Sequence, residues 1–138
     1  MKPYLLHPAA VHFPIALLSL GFAVGCLAAR RKSPAWLDQA VSWLLWLGTA
    51  SAWAAAGLGW LAEKTAPHAP PAWEILAEHQ ELAYWTLGAF TTLSLWRFWR
   101  PSHRAVFIGA WFAALALLLA TAFHGGELVF KFGMGVGE

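Results

Sequence analysis

Charge is scarce in this chain. Only 12% of its 138 residues are Asp, Glu, Lys or Arg, where a soluble domain carries about 25%. With 59% hydrophobic residues and a mean hydropathy of +0.55, there is too little polar surface to cover a water-soluble globule. The composition implies one membrane-embedded domain. Cysteine is nearly absent: Cys26 stands alone in an apolar run, so it has no internal disulfide partner and is expected in the core. No Cys-x-x-Cys-His motif is present, which excludes covalent c-type haem. A Gly-rich phosphate loop and a nucleophile–base arrangement are also missing, so a nucleotide enzyme or hydrolase is not expected. The net charge is +2, and the basic residues form two short clusters rather than a stripe with aromatic platforms, which argues against nucleic acid as a partner.

What the chain has is apolar runs. Four emerge, at roughly 9–29, 39–62, 80–98 and 105–124, each near the ~20 residues a helix needs to cross the hydrocarbon core. The expected fold is an all-α four-helix transmembrane bundle spanning 1–138, with a tail over 125–138. The first run is too long for a cleaved signal peptide and has no polar basic stretch before it. Pro67, Pro70 and Pro71 break the chain between the second and third runs. Pro71-Ala72-Trp73-Glu74 then reads as a helix start with an acid in its first turn.

Six of the nine Lys and Arg residues fall between helices one and two (Arg30, Arg31, Lys32) or three and four (Arg97, Arg100, Arg104). Positive loops stay in the cytoplasm. Both termini should therefore be extracytoplasmic. Trp36, Trp60, Trp73, Trp96 and Trp99 lie near the expected boundaries, where amphipathic rings favour the interface. Trp43, Trp46, Trp53, Trp85 and Trp111 lie deeper, facing lipid, packing or lining a flat ligand.

That topology gathers histidines. His7 and His12 open helix one, His79 opens helix three, His124 closes helix four and His68 sits in the outer loop, so five of six share one face; His103 does not. Ionisable groups beside hydrocarbon are costly and mark function. Steps of three or four from His12 give Ala16, Ser19, Ala23 and Cys26; from His79, Ala83, Thr86 and Phe90; back from His124, Thr121, Ala120, Leu117, Ala113 and Ala110. Helix two offers Gly48, Ala52, Ala55 and Gly59. Small residues mark close helix approach, so these histidines are expected to point inward. Pro14 should free the carbonyl of Ala10. His7 and His12 are about 140° apart on an ideal helix and should serve different partners, or only one of them should be inside.

Neutral imidazole binds haem iron, zinc and copper, and bundle cores hold cofactors between facing helices. The expected occupant is one haem b, or two, with iron on His12 and either His79 or His124, and His7 in support. Phe13, Phe90, Trp85 and Phe123 are expected against its ring. A transition metal with Glu78 or Glu127 is the rival, and proton or quinone chemistry a third use. Histidines that only cap helices in a cofactor-free structural or assembly subunit remain an alternative. The lipid bilayer is the expected surrounding, with a quinone or a cytochrome as redox partner, and a homo-oligomer or larger complex is open.

The string His7-Pro8-Ala9-Ala10-Val11-His12-Phe13-Pro14-Ile15-Ala16-Leu17, with His124-Gly125-Gly126 and the later Gly133, Gly135 and Val136, resembles a bacterial family of small membrane proteins. That family is known only as a domain of unknown function. The resemblance covers essentially the whole chain and implies four helices, with His79 at the third-helix histidine. Some relatives look fused to or neighbouring cytochrome-type domains, which favours haem. Gly125-Gly126 suggests a helix end, with the tail folding back over the histidines or hanging loose.

Overall fold

A computed structural model describes residues 3–29, 34–66, 70–99 and 104–135. The Arg30-Arg31-Lys32 cluster, Arg100, His68 and His103 lie outside the described residues. A short 3-10 turn, Pro3–Leu5, leads into α1 (Leu6–Ala10) and α2 (His12–Ala28). Then come α3 (Ala35–Thr65), a second 3-10 turn at Pro70–Ala72, α4 (Trp73–Trp99) and α5 (Arg104–Phe130). The chain is all-helical, and α1 with α2 makes one interrupted helix of a four-helix bundle. Pro14 has no N–H to return to Ala10. The interruption falls at Val11, whose N–H still reaches the His7 carbonyl at 3.1 Å. It places His7 and His12 on separate segments.

Three stretches are long and apolar enough to cross a membrane: Leu6–Ala28, Ala35–Thr65 and Arg104–Phe130. The 27-residue α4 runs beside them with Glu74 in its first turn and Arg97 in its last. At 1.5 Å per residue α3 is roughly 46 Å long, more than the ~30 Å hydrocarbon core.

The bundle closes on one fully buried side chain per long helix: Leu18, Leu45, Phe90 and Trp111. Glycines let them approach. A Cβ on Gly21 would lie 2.9 Å from the Trp111 ring, and one on Gly48 only 2.5 Å from Leu18. Hydroxyls tie the helices within this level: Thr49 to Ser94 at 2.8 Å and Thr86 to Thr121 at 2.9 Å. At one end of the bundle Arg97, 7% exposed, pairs with Asp38 at 2.7 Å and donates to Ser42 at 3.0 Å. Arg104 there donates to the Ala28 carbonyl at 3.1 Å. The ends of α2 and α4 thus meet the starts of α3 and α5, so successive helices run antiparallel. The starts of α1 and α4 meet the ends of α3 and α5 at the opposite end.

Two expectations change here. Cys26 is exposed, not core. Helix α5 does not stop at Gly125-Gly126 but runs through to Phe130. The left-handed glycines come later, at Gly133 (φ 66°) and Gly135 (φ 75°), and Met134 N–H returns to the Leu128 carbonyl at 2.9 Å. The tail then reaches α1, where a Cβ on Gly135 would lie 2.8 Å from Pro8. Of the deeper tryptophans, Trp43, Trp53 and Trp85 face outward at 54%, 56% and 64% exposure, while Trp111 is in the core.

Candidate functional site

Two histidines are held in the same way at this second end. His7 Nδ1 lies 2.9 Å from the Ala55 carbonyl on α3. His79 Nδ1 lies 2.9 Å from the Thr121 carbonyl on α5. A carbonyl only accepts, so Nδ1 donates in both rings, and each neutral ring keeps its lone pair on Nε2. One turn after each carbonyl stands a glycine. A Cβ on Gly59 would lie 3.0 Å from His7 Cε1, and one on Gly125 3.0 Å from His79 Cε1. The reason is helix geometry: a Cβ leans toward the N-terminus. Residue i+4 would therefore put its Cβ over the carbonyl at i, where the ring lies. First helix, carbonyl and following glycine recur as one arrangement in each half of the chain.

The two rings meet edge-on, with centroids 6.2 Å apart and planes at 75°. Beside them opens a cavity of about 800 Å³, within the usual ~300–1,000 Å³ of ligand pockets. Its walls include both histidines and both glycines, with Tyr4, Trp60, Trp73 and Tyr84 as aromatic surfaces and Leu76, Leu87, Leu128 and Met134 as apolar ones. Glu63, Lys64 and Gln80 are polar members of the lining.

The other expected site residues fall elsewhere. His12 is exposed, with Nδ1 3.3 Å from the Ala9 carbonyl of its own segment. It does not line the cavity, and its companions Ala16, Ala23 and Cys26 are exposed too. His124 is at the right end of the bundle but turns Nδ1 to Glu127 at 3.1 Å, with Glu78 at 3.8 Å. Glu127 also pairs with Lys131. The structure thus pairs His7 with His79, not His12 with His79 or His124. The expected aromatic packing also differs: Phe13, Trp85 and Phe123 are 65%, 64% and 65% exposed, and Phe90 is in the core. The sequence reading missed Gly125 as a seat for a ring and the carbonyls of Ala55 and Thr121. The available signal was the repeated i, i+4 pair, Ala55 with Gly59 and Thr121 with Gly125, late in the second helix of each half.

The residues present fit a flat metal-bearing ring. A metal-bound imidazole nitrogen lies about 2 Å from its ion, so two imidazoles on opposite sides of one ion have centroids on the order of 6 Å apart. Metal-bound histidines usually donate their other N–H to a carbonyl or carboxylate, as both rings do here. Among the described residues no three or more His, Cys, Asp or Glu side chains form a metal-holding group.

No curated protein and no solved structure matches the chain. A family model described as "Predicted membrane protein (DUF2231)" matches residues 4–138, and the chain belongs to that family.

Proposed function

We propose that this membrane protein holds one b-type haem between His7 and His79 and serves as an electron-transfer component of a membrane redox chain. The observation that carries the reading is the matched pair of imidazoles, each fixed by an Nδ1–H bond at 2.9 Å, with centroids 6.2 Å apart. A porphyrin brings four ring nitrogens of its own, so two protein ligands suffice, and two are what the cavity presents. When bound, the haem supplies one-electron redox chemistry whose potential depends on axial ligands and burial.

The chain's own residues supply binding and orientation. The carbonyls of Ala55 and Thr121 fix the tautomer and raise ring basicity. Gly59 and Gly125 leave room for the rings. Leu76, Leu87 and Leu128 supply apolar wall to the cavity. The apolar lining disfavours added charge and tunes the potential.

Arg97 and Arg104 mark the end opposite the histidines, which supports a cytoplasmic position for that end. The histidine end and both termini would then be extracytoplasmic in a bacterial inner membrane. A quinone or a cytochrome would exchange electrons there. The test is a pyridine haemochrome assay on detergent-purified chain expressed with ample haem. One haem b per chain is the expected result; haem-free protein would overturn the reading and favour a cofactor-free assembly subunit.

A further inference from the structure

We propose that Lys64 is the anionic-group subsite of this cavity: it receives a carboxylate of the bound porphyrin and so sets which edge of the macrocycle faces the bundle end. The proposal rests on the haem reading. Lys64 is the one Lys or Arg among the described residues that line the cavity. It stands in the last turn of α3, five residues beyond the glycine on which the His7 ring lies. Five residues of helix are roughly 7–8 Å of axial rise, which places the lysine outward of the ring, toward the end of the bundle. Among the described residues its ammonium pairs with no carboxylate; it rests 3.7 Å from the centroid of Trp60, itself a wall of the cavity. An ammonium held on an indole is oriented and remains able to meet an anion. The other cation described at this end, Lys131, is engaged by Glu127. Glu63 also lines the cavity and would repel the same carboxylate, so the subsite has an opposing charge beside it. A lysine in a last helical turn also complements the helix dipole. That role would act on stability and not on the choice between ligands.

The experiment compares haem b with its dimethyl ester, in which both carboxylates are masked, by absorbance titration of the full haem-free chain in detergent. Wild type should prefer haem b by about three- to tenfold, the range of one partly exposed charge-assisted contact. Lys64→Gln should bring that preference close to one while keeping the same low-spin spectrum. Lys64→Arg should restore it, and Glu63→Gln should leave it intact or enlarge it. If both porphyrins bind and Lys64→Gln keeps the wild-type preference, the subsite is refuted and the haem reading stands. If neither porphyrin binds the wild-type chain, the haem reading falls and the subsite with it.

Discussion

Replacing Gly59 or Gly125 with alanine should cost haem affinity far more than fold stability. A Cβ at Gly59 would lie 3.0 Å from His7 Cε1 and 3.1 Å from its Nδ1. At Gly125 it would lie 3.0 Å from His79 Cε1. Ordinary carbon contacts fall at about 3.5–4.0 Å, so each ring must retreat by a few tenths of an ångström. The Nδ1 bonds are already 2.9 Å long, and an N–H···O bond much beyond about 3.2 Å is weak. Losing one costs about 0.5–1.5 kcal/mol. The alanine offsets about 0.5–1 kcal/mol by lowering the entropy lost on forming the helix. Net stability should therefore move by about 1 kcal/mol or less. Haem affinity should fall about 10- to 100-fold, the usual effect of losing the outer partner of a metal-bound imidazole. Gly57 is the control on the same helix, because nothing lies within 4 Å of a Cβ built there. Gly57→Ala should bind haem as wild type does. Soret titration and thermal unfolding of each variant measure the two quantities separately. Equal affinity in all three variants would refute the seat assigned to the glycines.

His7→Ala and His79→Ala should each abolish low-spin haem, whereas His12→Ala should retain it, since His12 is outside the cavity; absorption spectra of the three decide this. Acidification should release the haem, because protonated imidazole cannot ligate. Free histidine titrates near 6.5, so affinity should hold at that pH and fall below it in a pH series of Soret titrations. At the opposite end, Asp38→Asn strips the partner from Arg97, which is 7% exposed. Breaking a buried pair costs about 3–5 kcal/mol, and with Asp38 39% exposed the loss should lie at or below the lower end. A thermal unfolding curve should show it, with the haem spectrum of the folded fraction unchanged.

The helices were legible because charge interrupts the apolar runs at few places, and the prolines and Glu74 mark the start of α4. The gathering of His7, His79 and His124 at one end followed from helix count alone. Which imidazole turns inward did not. His12 and His79 both begin stripes of small residues, yet Ala16 and Ala23 are exposed while Thr86 and Phe90 are buried. Small residues suit lipid and helix contacts alike, so one marks an interface only when a large side chain opposes it. Gly21 against Trp111 and Gly48 against Leu18 are such cases, and those pairings belong to the tertiary fold. The break at Val11 shifts helical phase between His7 and His12, which a periodic reading across both cannot follow. Gly125-Gly126 carried a helix-stop signal, but Gly125 serves the packing of His79 inside a continuing helix.

The assignment of His7 and His79 as the ligand pair is tested most directly by electron paramagnetic resonance of the oxidised, haem-loaded chain. Two imidazoles with planes at 75° predict a strongly anisotropic low-spin ferric signal that disappears in both His7→Ala and His79→Ala. A high-spin signal in wild type, or a low-spin signal that survives either substitution, would contradict the account.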